Sequence, residues 1–179
     1  YGDSILAANT ILLNFFFLFS YGIDGFAHSS EVLVGNAIGK KNNSLLNKSI
    51  YSTGKFSLIL ASIYLIIFNI FDLSIIQFVT NLEIIHQAVL SNIIYLYLIF
   101  ISATVAFWLD GVFIGSLKVK LLRNIMIISG ILFFTIETIL LEGNNDNLWI
   151  SFLIFFTARS ILLGIALYNH IKNNRFIII

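Results

Sequence analysis

Apolar residues gather into five stretches, near Ile5–Ile38, Phe56–Phe71, Ala88–Leu117, Ile125–Leu141 and Leu148–Tyr168, with short polar segments between them. A helix crossing a bilayer needs roughly 20 apolar residues at ~1.5 Å rise each, and these stretches suit that requirement. The first and third exceed the hydrocarbon thickness, so they are expected to tilt, bend or project into water. The pattern predicts an all-α integral membrane protein of about five transmembrane helices, with the lipid bilayer as its first partner.

Charge adds an orientation. Lys40, Lys41, Lys48 and Lys55 lie between spans one and two, and Lys118, Lys120 and Arg123 follow span three. Lys172 and Arg175 follow span five. The intervening segments, Asp72 to Gln87 and Glu142 to Asn147, carry acidic residues and no Lys or Arg. Basic residues thus fall on alternate loops, which predicts a cytoplasmic C-terminus and an external Tyr1. Arg159 is the exception, inside span five.

Composition sharpens the class. Charged residues make up 11% and hydrophobic residues 59%, with mean hydropathy +0.97. Soluble domains carry roughly 25% charged residues, so a water-soluble globule is not expected. Cysteine is absent, which removes disulfides, zinc ribbons and thiol nucleophiles. Proline is absent too, so any bend must arise at glycine or polar positions. The chain opens on Tyr1 with no basic leader, which predicts truncation at the N-terminus rather than a signal peptide. The apolar end after Arg175 reads as a surface-lying or artificial terminus. Abundant Ile, Asn, Lys and Phe point to an AT-rich bacterial source.

Ionisable groups at membrane depth are costly unless paired or hydrated, so they mark candidate chemistry. In span one, Asp24, His28 and Glu31 are spaced by four and then three residues, which stacks them on one helical face. Tyr21 and Asn14 extend that stripe. The stripe suits a proton or cation relay or a substrate-binding wall, against the plainer reading of hydrogen bonds that merely join helices. Asp110 lies eight residues from Lys118 and Glu31 nine from Lys40, about 12 and 13 Å along their helices. Two carboxylates from different helices are therefore expected at similar depth. Glu137 and Arg159, in spans four and five, are expected to form a structural ion pair across a depth difference of about 9 Å. Gly35 with Gly39 and Gly111 with Gly115 make two Gly-x-x-x-Gly steps, a packing signal. No His-Glu-x-x-His pattern, phosphate loop or Gly-x-Ser-x-Gly elbow occurs, and no basic stripe suits nucleic acid. Neither a metal site nor an enzyme is expected.

Two stretches carry a resemblance. Leu6-Ala-Ala-Asn9, Tyr21-Gly-Ile-Asp-Gly-Phe-Ala27 and Glu31-Val-Leu-Val-Gly-Asn-Ala-Ile-Gly39 form the first; Leu109-Asp-Gly-Val-Phe-Ile-Gly115 with Arg123-Asn-Ile-Met126 forms the second. In order and spacing they resemble the multidrug and toxic compound extrusion (MATE) transporters, in particular the DinF-like branch. The resemblance implies the C-terminal lobe, lacking its first helix, of a twelve-helix antiporter with two six-helix lobes. Such a protein expels small cationic or amphipathic compounds across the cell (inner) membrane, driven by protons or sodium, without a cofactor. Asp24, Glu31 and Asp110 would line or support the cavity between lobes. The N-terminal lobe, with the first-helix carboxylate the branch uses for coupling, is missing, and no acidic residue precedes Arg123-Asn124. Two other readings compete: a flippase for lipid-linked oligosaccharides, which needs more cations in its cavity, and a membrane assembly subunit that does not transport.

Overall fold

The computed structural model describes residues 2–140, 144–173 and 176. Tyr1, Leu141, Glu142 and Arg175, which entered the reading of spans and loops, lie outside the described residues, as do 177–179. Five helices follow one another: α1 (Asp3–Gly39), α2 (Asn43–Val79), α3 (Glu83–Gly115), α4 (Val119–Thr135) and α5 (Asn145–Lys172). A π turn, Ile136–Leu140, extends α4. All five are long and apolar enough to cross a membrane, α4 together with the first residues of its π turn.

Helix ends depart from the apolar stretches, most in α2. Its predicted span, Phe56–Phe71, sits inside a 37-residue helix. Lys48, Lys55 and Asp72 lower the local hydropathy but do not break helical hydrogen bonding, so residues expected in loops continue the helix. Asn42 caps it by accepting from Leu45 N–H, and Asn144 caps α5 by accepting from Asn147 N–H. At 1.5 Å per residue α1 and α2 are about 55 Å long, so their ends extend past a hydrocarbon core of ~30 Å.

Two tight turns join helices at the basic end. After α1, Lys41 N–H donates to Ile38 O and Asn42 N–H to Ala37 O; after α3, Leu117 N–H donates to Ile114 O and Lys118 N–H to Phe113 O. This crossed pair satisfies the last carbonyls of a helix and requires a left-handed residue at the turn. Glycine is usual there, yet this chain uses Lys41 (φ 50°) and Leu117 (φ 58°). Lys40, Lys41, Lys48, Lys118, Lys120, Arg123 and Lys172 all belong to these turns and the neighbouring ends. Asp3, Asp72, Glu83 and Asp146 occupy the opposite end.

The centre of the bundle is the α1–α3 pair. Helix α2 packs on both, α5 packs on α3 and α4, and α4 is peripheral. One apolar cluster fills the acidic half around Phe19 and Phe100, fully buried and stacked at 4.0 Å between ring centroids. A second, around Val34, Leu109 and Phe113, fills the basic half. Between helices already in lipid, such packing and the hydrogen bonds below are what favour association. The π turn supplies a break in helical regularity that does not require proline.

Candidate functional site

The α1–α3 seam is set by glycine. A Cβ on Gly111 would fall onto the backbone of Ala27, and one on Gly115 onto the backbone of Glu31. Gly35 faces Gly115 O at 3.4 Å from its Cβ position, whereas nothing lies within 4 Å of Gly39. Of the two Gly-x-x-x-Gly steps, the α3 step is the one used over its whole length. Backbones that approach this closely bring the residues beside them together as well.

Those neighbours are the acidic stripe and Asp110. A cavity of about 330 Å³ is lined by Asp24, Ala27, His28 and Glu31 from α1 and by Phe107, Asp110, Gly111 and Ile114 from α3. The structure thus gathers four of the singled-out residues on one cavity wall. Three are carboxylates, and no Lys or Arg is among the lining residues. His28 Nδ1 lies 3.7 Å from Glu31 Oε2, with His28 largely exposed and Glu31 partly so. Tyr21 and Asn14 are exposed on α1 and do not line the cavity.

Asp110 is held from behind. Arg159 Nη2 donates to Asp110 Oδ2 in a buried ion pair, with side-chain exposures of 7% and 14%. Asp110 Oδ1 is buried and has no hydrogen-bond partner among the described residues. One oxygen of this carboxylate is therefore committed to the guanidinium, while the other is buried without a partner among the described residues.

The expected pair of Glu137 with Arg159 does not form. Glu137 Oε2 accepts from Ser151 Oγ at 3.2 Å instead. Ser151 sits eight residues before Arg159 on α5, about 12 Å nearer the α4–α5 connection, which puts it level with Glu137. Arg159 faces α3, the other helix against which α5 packs. At the next residue, Ser160 Oγ donates to Ser102 O, a second polar link between the same helices.

The sequence also gave no warning of two further polar links. At the acidic end Trp149 Nε1 donates to Asn9 Oδ1 at 2.9 Å, and Asn9 Nδ2 donates to Asn145 Oδ1 at 2.6 Å, tying α1 to the start of α5. In the basic half Trp108 Nε1 donates to the buried Thr53 Oγ1 at 3.0 Å. The partners are 140 and 55 residues apart in the chain, so no local pattern could reveal them. Phe107 and Ile114 had a signal: they sit three before and four after Asp110, on its helical face.

Membrane-length helices, polar groups turned inward and an acidic cavity between the two central helices together define a multi-pass helical membrane protein. The chain belongs to the MatE family, whose model matches residues 1–139. Over 173 residues, 96% of its length, it is 27% identical to DNA damage-inducible protein F of Escherichia coli (strain K12). It spans 38% of that relative's length. No solved structure matches it. The resemblance read from the two sequence stretches, including its DinF-like branch, is borne out.

Proposed function

We propose that this chain supplies one transmembrane lobe of a secondary active efflux transporter that exchanges cationic or amphipathic compounds for protons or sodium. Membership of the MatE family and the likeness to DNA damage-inducible protein F support a transporter of this type. The observation that carries the reading is the cavity on α1 and α3, whose three carboxylates include one with a free, buried oxygen. A wall of this charge attracts cations and disfavours anions, and desolvation strengthens that preference. In the proposed arrangement a second lobe of the same protein closes the cavity, and access alternates between the two sides. The cytoplasm lies at the basic end, following the excess of Lys and Arg there.

The same charge weighs against a flippase for lipid-linked oligosaccharides. Its phosphates would need cations, and Arg159, which does not line the cavity, is already bound to Asp110. The test is efflux of a cationic dye from everted vesicles carrying the full-length protein. Glu31→Gln is expected to lower the initial rate at least about tenfold at unchanged expression, the cost of one charge-assisted contact, and Asp110→Asn, which also breaks the pair with Arg159, to do so per folded protein. Normal rates in both variants would remove these carboxylates from the mechanism.

A further inference from the structure

On the far side of the seam from the acidic cavity, α2 and α3 form a second, open cavity of about 400 Å³. It is lined by Tyr51, Gly54, Lys55, Leu58, Ile59, Ser62 and Trp108. Its floor is fixed. Gly54 leaves room for the Trp108 indole to lie on the α2 backbone, since a Cβ there would come within 2.6 Å of Trp108 Cζ2. The indole N–H is held by Thr53, whose own hydroxyl donates to Ser49 O. An aromatic ring anchored on both sides yet facing an open space is a platform, not packing left incomplete.

Chemistry changes along this groove in one direction. Tyr51 and Lys55 form its end toward the basic turns, and both are exposed. Leu58, Ile59 and Ser62 continue it along the same face of α2 toward the bundle centre. From Tyr51 to Ser62 is eleven residues, about 16 Å of helix. Lys55 is seventeen residues from Asp72, about 26 Å, a separation close to the hydrocarbon thickness of ~30 Å. Lys55 and Tyr51 therefore stand at the membrane interface on the basic side, with Leu58 and Ile59 below them in the hydrocarbon. Aromatic and basic residues at that level are the groups that meet lipid headgroups.

We infer that this groove is a binding site for an anionic phospholipid, with the headgroup phosphate on Lys55 and Tyr51 and an acyl chain along Leu58, Ile59 and the Trp108 ring. Charge complementarity selects this occupant. The lysine repels the cations that the acidic cavity attracts, and below it the groove runs about 10 Å past Leu58 and Ile59 to Ser62, room for the upper part of an acyl chain. Lys40, Lys41 and Lys48 near the same end add to the positive field.

The test is native mass spectrometry of the full chain in detergent, offered equimolar phosphatidylglycerol and phosphatidylcholine. Phosphatidylglycerol is expected to be retained preferentially, and Lys55→Gln should reduce that preference about fivefold, the effect of one interfacial lysine. Lys41→Gln, on the turn outside the groove, should leave it within about twofold. Trp108→Phe keeps a ring but loses the bond to Thr53, and it should lower retention of both lipids while sparing the preference. Equal retention of the two lipids by the wild type, or an undiminished preference in Lys55→Gln, overturns the proposal. So does exclusion of both lipids, the result expected if another segment of protein covers the groove.

Discussion

The close approach of α1 and α3 is the contact most open to measurement, because it rests on two hydrogen atoms. Replacing Gly111 or Gly115 by alanine puts a methyl group against α1 backbone, which cannot rotate aside as a side chain could. The new Cβ would lie 2.0 Å from Ala27 O in the first variant and 2.4 Å from Glu31 O in the second. Carbon–oxygen contacts rest at about 3.3–3.6 Å, so the helices must part by roughly 1 Å or more. A gap of that size forfeits about half of the dispersion attraction across the opened contacts. Overpacking of this kind costs about 1–3 kcal/mol, while alanine returns up to ~1 kcal/mol of helix propensity. Each variant should therefore be destabilised by about 1–2 kcal/mol. The two together should cost less than their sum, because the seam opens only once. Gly130→Ala and Gly39→Ala are controls: nothing lies within 4 Å of either Cβ position, so both should be neutral or stabilising. Unfolding in detergent by circular dichroism, with denaturant or heat, reads all four. Seam variants as stable as the controls would mean that α1 and α3 do not meet backbone to backbone, and the cavity built on that contact would be refuted with it.

Three further outcomes follow from other parts of the structure. Removing one member of the buried Asp110–Arg159 pair, by Asp110→Asn or Arg159→Met, should cost about 3–5 kcal/mol, and the double variant less than either alone. Simple additivity in that double-mutant cycle would mean the pair is not formed. Leu117→Gly relieves a left-handed residue that costs roughly 1–2 kcal/mol and adds ~0.5–1 kcal/mol of chain entropy. A small rise in melting temperature is expected, and a fall would show that Leu117 is not strained. Because the chain has no cysteine, single replacements can report sidedness. Lys41→Cys and Lys118→Cys should react with an impermeant maleimide from the cytoplasmic side and Glu83→Cys from the other, and labelling of all three from one side would overturn the bundle's up-and-down order.

Much of this architecture was legible in the sequence for a simple reason: lipid enforces a contrast between apolar spans and polar turns that composition records directly. The ends were less legible. Lys48, Lys55 and Asp72 interrupt hydropathy without interrupting the helix, so α2 runs well past its apolar stretch at both ends. The face of α1 could be read because Asp24, His28 and Glu31 follow helical spacing, which needs no knowledge of neighbours. What could not be read was the rotation of one helix about another. Sequence adjacency suggested Glu137 for Arg159, and depth did not separate the two carboxylates. Arg159 is thirteen residues from Lys172 and Asp110 eight from Lys118, a difference of about 8 Å against the 9 Å reckoned to Glu137. What decided the partner was the packing of α5 on α3, which the sequence does not show.

The seam also separates two properties that most binding sites leave entangled. Ala27 and Glu31 meet Gly111 and Gly115 through main-chain atoms, so the distance between the cavity's two walls is written in backbone. The charges it displays are written in side chains one to three positions away or in the side chain of Glu31 itself. A change at Asp24, His28 or Glu31 can therefore alter what the cavity attracts without altering how far apart its walls stand. If the cavity takes cations as proposed, its selectivity is free to drift across such a scaffold, one side chain at a time, while the frame stays where it was.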